Sequence, residues 1–247
     1  MSTERRILVV AHTGRDDSLR TAVEVLDRLT AGGVQAVIVA SDRDDLVSAD
    51  PELASIPVLD QDVPLADIEL TIVLGGDGTI LRAAEIVRGS ASPLMGVNLG
   101  HVGFLAEAER EDLAETVRRA ISGEYEVEER MTIDVSVLVD DVEVYRTWAL
   151  NEATVEKSQP GKMIEVVIEV GGRPLSSFGC DGVVMATPTG STAYAFSAGG
   201  PVVWPNIDAL LLVPLSAHAL FARPLVVGPD SVLAVELLER TPSPGIL

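Results

Sequence analysis

Short, mostly apolar runs alternate with helix-like patterns through the first half of the chain, and this alternation restricts the fold more than any other feature. The apolar runs cover residues 7–10, 34–39, 71–74 and 94–97. Between and after them, apolar residues recur at helical spacing at residues 19–29, 79–87 and 113–121. Apolar strands separated by helices are typical of a parallel sheet that is covered on both faces. The first half is therefore predicted to be an α/β domain with a parallel sheet.

From about residue 125 the pattern changes to the two-residue alternation of β-strands. Gly171-Gly172 is predicted to form a two-residue hairpin turn. The alternation covers residues 131–139, 142–148, 163–170 and 173–178. We therefore predict two domains, an α/β nucleotide-binding domain at residues 1–124 and a β-rich, sandwich-like domain at residues 125–247. The boundary is placed where Ser122-Gly123 ends the last strong helix pattern.

The charge balance limits the partners that the chain can bind. Of its 247 residues, 38 are acidic and 18 are basic, which gives a net charge of −20, and no Lys/Arg-rich run is present. A field of that sign repels nucleic acids and anionic membranes, so neither is an expected partner. A polyanionic substrate must be met by local cations, by backbone N–H groups or by a metal ion.

The cysteine content and the apolar stretches predict a cytoplasmic protein without a membrane span. Cys180 is the sole cysteine, so no intrachain disulfide can form and a reducing compartment fits. The first apolar run is too short to be the core of a signal peptide. Prolines interrupt the two longest charge-free stretches, residues 182–207 and 209–222, which argues against transmembrane helices.

A glycine-rich turn, Gly75-Gly76-Asp77-Gly78-Thr79, follows an apolar strand and opens a helix. In an open parallel sheet ligands bind at the carboxyl ends of the strands, and glycines let a phosphate approach the backbone. The charge of Asp77 repels a phosphate, but Asp77 makes sense if it accepts a proton from an attacking hydroxyl or holds Mg²⁺ against the phosphates. A structural turn with Thr79 as the helix N-cap explains the same residues equally well.

A second segment, residues 187–194, lies within a charge-free stretch and is rich in hydroxyl groups. The hydroxyls belong to Thr187, Thr189, Ser191 and Thr192. Tyr194 is suited to stack on a base, and Ser197 to bond to the edge of that base. A surface loop before a capped helix is the alternative. Surface loops in so acidic a chain normally carry charge, so a buried, ligand-lined site is favoured.

Polar or charged side chains at three further places, Asn151-Glu152, Arg82 and Lys162, are candidates for ligand contacts, and each also has a purely structural explanation. The amide of Asn151 can pair with the donor and the acceptor of an adenine edge, and the neighbouring Glu152 can hold ribose hydroxyls. On these two residues alone an exposed strand end is preferred. Arg82, one helical turn after Gly78, and Lys162, in a predicted loop that also contains Lys157, can supply positive charge to phosphates. Solvated surface charges are the alternative for both.

Several common chemistries are excluded by the motifs that the chain lacks. Neither a G-x-x-x-x-G-K-[ST] phosphate loop nor a G-x-G-x-x-G dinucleotide fingerprint occurs, and Ser191 lacks the frame of a hydrolase nucleophile. His12, His101 and His218 lack metal-ligand spacing, so no metal site made by the protein alone is predicted. Each histidine is interpreted as structural, although His101 lies in another glycine turn that can border the site.

Taken together, these segments resemble the NAD kinase family. The resemblance rests on residues 75–79, on Asn98-Leu99-Gly100 with Gly103-Phe104-Leu105, on Asn151-Glu152, and on residues 181–182 with 187–201. It extends over nearly the whole chain, in order. The first motif alone is also similar to those of phosphofructokinases and lipid kinases. The combination of residues 187–197 with Asn151-Glu152 is specific for the NAD kinase family. The residues within the motifs are most similar to those of actinobacterial members.

The resemblance implies transfer of a phosphoryl group from ATP or inorganic polyphosphate, with Mg²⁺, to the 2′-hydroxyl of the adenosine ribose of NAD. It implies that Asp77 is the proton acceptor, that Gly78 lies at the nucleotide, and that Asp181 contacts the nicotinamide side. It also implies a fold similar to NAD kinases and phosphofructokinases, a site in the cleft between the domains, and assembly as a homodimer or homotetramer. The residues implied to bind the adenosine half of NAD are Asn151, Glu152, Thr192, Ala193, Tyr194 and Ser197, while Arg82 and Lys162 fall at variable polar or basic positions.

Two departures from the family pattern leave alternatives open. The run Gly179-Cys180-Asp181-Gly182 lacks the arginine that many relatives carry two residues before the aspartate. The chain ends at Leu247, where relatives continue, so the second domain is expected to be incomplete. A catalytically impaired dinucleotide-binding protein is therefore one alternative. A lipid or sugar kinase that shares only the first glycine turn is the other.

Overall fold

The computed structural model describes residues 5–99, 108–109, 112–219, 223–238 and 244–246. Its backbone contacts divide the chain into unit 1, Met1–Glu128, and unit 2, Glu129–Leu247. The glycine turn around His101, with Gly100 and Gly103-Phe104-Leu105, lies outside the described residues.

A parallel sheet forms the centre of unit 1. The strands are β1 (Arg6–Ala11), β2 (Gln35–Ile38), β3 (Leu70–Leu74), β4 (Leu94–Asn98) and β5 (Ala108–Glu109). They pair in the order β2-β1-β3-β4-β5, and each of these pairs is parallel. The parallel sheet predicted from the apolar runs is confirmed.

Helices cover both faces of this sheet, as strands that are apolar on both sides require. They are α1 (Asp16–Ala31), α2 (Arg43–Ala49), α3 (Asp77–Ile86) and α4 (Leu113–Ser122). Val9 of β1 belongs to the core on one face, with Leu26 of α1 and Val117 of α4. Its neighbour Leu8 belongs to the core on the other face, with Ile80 of α3. Each fully buried side chain of this kind stabilises the fold by about 2 kcal/mol.

The strand order changes direction at β1, because β2 lies on one side of it and β3 on the other. Loops that leave the carboxyl ends of two such strands diverge, and the crevice between them is the usual ligand site of an open α/β sheet. The backbone N–H of His12 donates to the carbonyl of Leu74 at 3.0 Å, which fixes the two strand ends side by side. This crevice lies between residues 12–15 and residues 75–78.

Unit 2 is β-rich, as predicted. One sheet pairs β13 (Leu225–Val227), β12 (Leu210–Leu215), β11 (Gly182–Ala186), β8 (Glu152–Lys157) and β15 (Pro244–Ile246) in this order. A second sheet pairs β10 (Arg173–Cys180), β9 (Ile164–Val170) and β14 (Leu233–Leu237), and a hairpin pairs β6 (Ile133–Val139) with β7 (Val142–Ala149). These pairs are antiparallel. The core contains Val155 and Val183 of the first sheet together with Ile164 and Ile168 of the second, so the two sheets pack face to face.

The turn between β9 and β10 has the conformation that its residues predict. Gly171 and Gly172 have φ values of 59° and 73°, and the strands pair directly from Val170 to Arg173. A two-residue turn with positive φ at both positions matches the twist of the strands, and glycine adopts it without steric cost.

Three elements differ from the sequence-based expectations. Residues 43–49 form α2 although no helical pattern was recognised there, and residues 210–215 form the buried strand β12. Pro244–Ile246, for which no strand was predicted, pairs with β8. None of the helices in the described residues is long and apolar enough to cross a membrane.

Candidate functional site

A pocket of about 640 Å³ lies at the carboxyl ends of β1 and β3, where the strand order changes direction. The loop that follows β1 forms one wall, and the glycine turn and first helical turn of α3 form the other. The lining residues are Ala11, His12, Thr13, Gly14, Arg15, Gly76, Gly78, Thr79 and Arg82. Glycines on both walls leave backbone N–H groups accessible, and the arginines supply positive charge, so the pocket suits an anionic ligand.

The glycine turn is held close to the first turn of α3. A Cβ atom at Gly75 would lie 2.4 Å from Oγ1 and 2.8 Å from Cβ of Thr79, so only glycine fits there. The helix begins at Asp77, and its N-cap is Gly76 without a side-chain cap. The alternative that Thr79 is the N-cap is therefore wrong, because Thr79 already lies inside the helix.

Asp77 occupies the first position of α3, between two glycines that line the pocket. Its side chain is half-buried. The backbone dipoles at a helix N-terminus favour a negative charge, so this position stabilises the carboxylate beside an anion pocket. Asp77 thus lies in the chain between Gly76 and Gly78, both of which line the pocket.

Arg82 is held by Asp42, a residue that the sequence interpretation missed. The guanidinium donates from both Nη atoms to the two carboxylate oxygens of Asp42, at 2.9 and 3.0 Å, and to the carbonyl of Ala11 at 2.7 Å. The Asp42 side chain is only 2% exposed, and it also accepts the backbone N–H of Ala11 at 3.1 Å. The solvated alternative for Arg82 is therefore wrong, since the side chain links α3 to the end of β1.

The loop after β1, residues 12–15, is the part of this pocket that sequence reasoning did not find. We interpreted His12 as structural, and nothing in His12-Thr13-Gly14-Arg15 matches a phosphate-binding motif. The available signal was topological, because a loop at the carboxyl end of a central parallel strand is a candidate ligand site whatever its sequence.

In unit 2, Asn151 and Glu152 lie at the bend between β7 and β8, and each carries a buried oxygen without a partner. Among the described residues, nothing bonds to Oδ1 of Asn151 or Oε2 of Glu152. Burial raises the pKa of Glu152, although a hydrogen bond from the backbone N–H of Tyr194 opposes this effect. An unpaired buried polar group costs about 1–3 kcal/mol, so each of these two oxygens calls for a partner, either water or a ligand. The exposed strand end that we preferred for these residues is wrong.

The segment from Thr187 to Thr192 is fastened to Asn151 by backbone contacts. The N–H of Thr187 donates to the carbonyl of Asn151 at 2.9 Å, and the Thr187 hydroxyl donates to the carbonyl of Leu150 at 2.6 Å. Gly190 lies directly against Asn151, because a Cβ there would be 2.1 Å from the Asn151 carbonyl oxygen. The two motifs therefore form one structure, and the surface-loop alternative is wrong because Thr187 and Ser191 are fully buried.

The hydroxyl groups of this segment have different tasks. Those of Thr187 and Ser191 stabilise the loop itself, since Ser191 bonds to both the N–H and the carbonyl of Val203. The hydroxyl of Thr192 donates to the carbonyl of Thr189 at 3.4 Å, a long and weak bond that a ligand can replace. Thr189 is itself buried. Of the four predicted hydroxyls, two are thus committed to the fold.

The next turn of the chain, α5 (Tyr194–Ser197), presents more accessible side chains. Tyr194 is 40% exposed. Partial burial, with Glu156 and Asp181 nearby, raises the pKa of the Tyr194 phenol. Ala193 is half-buried and Ser197 is exposed. Tyr194 therefore presents a neutral ring with an accessible face.

Asp181 and the two lysines take separate positions. Lys157 lies on β8, not in the predicted loop, and its ammonium group forms an ion pair with the Asp181 carboxylate. The backbone N–H of Lys157 also donates to the Asp181 carbonyl at 3.0 Å. Lys162 is exposed in the connection between β8 and β9. Within the described ranges, no group of three or more His, Cys, Asp or Glu side chains is placed to hold a metal.

Comparison with protein families gives two matches that together extend over most of the chain. The model of the ATP-NAD kinase N-terminal domain matches residues 7–125, and that of the ATP-NAD kinase C-terminal domain matches residues 150–244. Among curated proteins, the chain is 64% identical over 247 residues to an NAD kinase of Leifsonia xyli subsp. xyli, covering 100% of this chain and 81% of that protein. It is 56% identical to an NAD kinase of Thermobifida fusca, covering 100% of this chain and 77% of that protein.

Two solved structures show the same fold. A yeast NADH kinase complexed with NADH has a TM-score of 0.85 at 24% identity and covers 98% of this chain and 74% of its own. An NAD kinase from Archaeoglobus fulgidus in complex with ATP has a TM-score of 0.64 at 27% identity and covers 98% of this chain and 92% of its own.

Proposed function

Because the chain belongs to the ATP-NAD kinase family and is an enzyme that phosphorylates NAD, we propose that unit 1 binds the phosphate donor and unit 2 binds NAD. The lipid or sugar kinase alternative is not favoured, since curated relatives at 48–64% identity are NAD kinases. We also propose that the domain boundary lies close to residues 124–128, which the end of the first family match at residue 125 supports.

The observation that carries the NAD assignment is the pair of unpartnered buried oxygens of Asn151 and Glu152. The Oδ1 atom of Asn151 accepts the exocyclic amino group of adenine, while its Nδ2 group donates to a ring nitrogen of the same base. The carboxylate of Glu152 accepts hydrogen bonds from ribose hydroxyls. An adenosine therefore supplies the missing partners of both side chains with a single ligand.

The residues around this pair complete a dinucleotide pocket. Tyr194 offers an accessible ring for stacking on the adenine. Thr189, Thr192, Ala193 and Ser197 line the same pocket in this proposal. Asp181, held by Lys157, contacts the nicotinamide side, and Lys162 provides a cationic contact for a ligand phosphate.

The donor is ATP or inorganic polyphosphate, bound as a Mg²⁺ complex in the pocket of unit 1. The accessible backbone at Gly76 and Gly78 suits a chain of phosphates, and Arg82, held by Asp42, lines the same pocket. Mg²⁺ would take its oxygen ligands mainly from the donor phosphates and from water, so no protein ligand to the ion is proposed and Asp77 stays available for the reacting hydroxyl. The ion reduces the repulsion between the donor and the attacking oxygen.

Asp77 accepts the proton of the ribose 2′-hydroxyl in this proposal. The O2′ atom then forms a bond to the terminal phosphorus as the bond from that phosphorus to the bridging oxygen breaks. The products are NADP, a proton and ADP or a shortened polyphosphate. Catalysis depends mainly on positioning and charge neutralisation, as expected for phosphoryl transfer.

The test of the NAD assignment is the change of Glu152 to Gln, which keeps the shape of the side chain and removes its charge. We expect the dissociation constant of NAD, measured by titration calorimetry, to rise about tenfold to hundredfold, since bonds to a charged partner contribute about 1.5–3 kcal/mol. Glu169→Gln on β9 is the matched control and should leave NAD binding unchanged. Equal NAD affinity of the Glu152→Gln variant and the unchanged protein would refute the assignment.

We further propose a homodimer or homotetramer in the cytoplasm. Large apolar side chains of unit 2, including Phe196 (56% exposed) and Trp204 (68% exposed), support self-association. The absence of any cysteine other than Cys180 fits a reducing compartment. Sedimentation of a single monomeric species at micromolar concentration would contradict the oligomer.

A further inference from the structure

Arginine side chains in unit 1 are mostly occupied by carboxylates, as expected in a chain with a net charge of −20. Ion pairs join Arg5 to Glu69, Arg6 to Asp67, Arg20 to Asp17, Arg28 to Glu24, Arg82 to Asp42, and Arg118 and Arg119 to Glu115. Arg15 differs from these. Within the residues that the structure describes, its side chain forms neither an ion pair nor a hydrogen bond, although Asp16 and Asp17 follow it in the chain.

The position of Arg15 is also unfavourable for the helix that it precedes. It is the N-cap of α1, with φ −131° and ψ 128°, and no side-chain cap is formed. Ser, Thr, Asp and Asn are preferred at an N-cap because their oxygen atoms accept a backbone N–H of the first turn, which arginine cannot do. Helix stability therefore gives no reason for arginine here, whereas its place on the pocket wall does.

Arg82, the other arginine of the pocket, is constrained in a way that Arg15 is not. Both of its Nη atoms are engaged by Asp42 and the Ala11 carbonyl, and the charge of Asp42 compensates its own. Because the same Asp42 accepts the N–H of Ala11, the group ties α3 to the end of β1. This arrangement makes Arg82 a positioning residue that holds the two walls of the pocket together.

We infer that Arg15 is the side chain that binds the phosphate chain of the donor, whereas Arg82 and Asp42 keep the pocket in shape. A planar guanidinium without a carboxylate partner can form two parallel hydrogen bonds to phosphate oxygens. ATP and inorganic polyphosphate share this linear phosphate chain, so Arg15 serves either donor. The inference rests on the proposal that unit 1 binds the donor.

The test uses the full chain with Arg15→Asn, which removes the guanidinium and introduces a residue that caps helices well. We expect the dissociation constants of inorganic tripolyphosphate and of MgATP, measured by calorimetry, to rise at least tenfold, with the affinity for NAD unchanged. The thermal midpoint of unfolding should stay equal or rise. A residue with only a structural role would move binding and stability in the same direction.

Arg20→Gln is the matched control, because it removes the same charge from an exposed position one turn further along α1. Its tripolyphosphate affinity should remain within twofold of that of the unchanged protein. The inference would be overturned if Arg15→Asn bound tripolyphosphate with the same affinity as the unchanged protein. If Arg15→Asn also loses stability, Arg15→Gln decides the matter, because it removes the guanidinium and adds no helix cap: weakened tripolyphosphate binding at unchanged stability supports the inference, and unchanged binding overturns it.

Formation of NADP by the unchanged protein separates this inference from the proposed function. If the unchanged protein forms NADP from NAD and MgATP while Arg15→Asn binds the donor normally, only the role of Arg15 fails. If the unchanged protein binds tripolyphosphate through Arg15 but forms no NADP, the proposed function fails and the anion site remains.

Discussion

Replacement of Gly190 by alanine tests whether the two motifs of unit 2 form one structure. The added Cβ would lie 2.1 Å from the carbonyl oxygen, 2.4 Å from the carbonyl carbon and 2.8 Å from Cα of Asn151. All three atoms belong to the backbone, so no side-chain rotation can relieve the contact. The segment that carries Thr187 must therefore move away from Asn151 by more than 1 Å, roughly the shortfall from ordinary contact distance.

The size of the effect follows from the bonds that this movement breaks. The N–H of Thr187 loses the carbonyl of Asn151, at 2.9 Å, and the N–H of Gly190 loses the hydroxyl of Thr187, at 3.0 Å. Each bond contributes about 1 kcal/mol, and the strain of an overpacked site adds about 1–3 kcal/mol. We therefore expect a loss of about 3–5 kcal/mol, which lowers the thermal midpoint of a unit of this size by roughly 10–20 °C.

Gly228→Ala is the matched control, because a Cβ at Gly228 meets no atom within 4 Å. Calorimetric melting and NAD titration of both variants provide the measurement. We expect Gly190→Ala to lose stability and to bind NAD at least tenfold more weakly, while Gly228→Ala is unaffected in both. A Gly190→Ala protein with the melting point and NAD affinity of the control would refute the reasoning.

Three further changes test single groups. Burial raises the pKa of Glu152, so the folded state of the unchanged protein loses stability as pH rises through that pKa. Without ligand, Glu152→Gln should therefore have a higher melting temperature at pH 7, and this gain should vanish below pH 4.5, the ordinary pKa of a glutamate. Equal melting temperatures of the two proteins at pH 7 would contradict this. Asp42→Ala leaves Arg82 and the N–H of Ala11 without their partner, so the free energy of unfolding in urea should fall by about 2 kcal/mol. An unchanged urea midpoint would show that the ion pair does not stabilise the fold. Burial also raises the pKa of the Cys180 thiol to about 11, so dithionitrobenzoate at pH 8 should label it only after unfolding; rapid labelling of the native protein would show that the thiol is accessible.

Local signals in the sequence were sufficient to predict the elements of unit 1 that position Asp77. The chain has an apolar run, then three closely spaced glycines, then apolar residues at helical spacing. These adjacent patterns were enough to place β3, the glycine turn and α3 from the sequence alone. The same holds for the β9–β10 hairpin, because Gly171 and Gly172 specify their own backbone conformation.

Features that depend on distant residues could not be predicted in this way. Asp42 lies 40 residues before Arg82, in a stretch without periodicity, and only the fold brings the two side chains together. The predicted loop that contains Lys157 includes β8, whose residues Glu152–Lys157 carry charges at both ends. Pairing with β11 on one side and β15 on the other makes this polar sequence a strand, and neither partner is close to it in sequence.

The sequence also could not separate the hydroxyls that stabilise the loop from those that are not needed for it. Thr187, Ser191 and Thr192 belong to the same residue class and lie within six positions of one another. Their tasks differ because Thr187 faces the carbonyl groups of residues 150 and 151 and Ser191 faces the backbone of Val203. The role of each hydroxyl can be assigned only when its hydrogen-bond partners in the folded protein are known.

The role of Asp77 is tested most directly by phosphorus NMR of the reaction products. With NAD and MgATP or polyphosphate, the unchanged protein and the control Asp44→Asn should produce the 2′-phosphate signal of NADP. Asp77→Asn should bind NAD with unchanged affinity and form this product about 10²–10⁴-fold more slowly, the usual contribution of a proton acceptor. Formation of NADP by Asp77→Asn at the rate of the control would contradict the account.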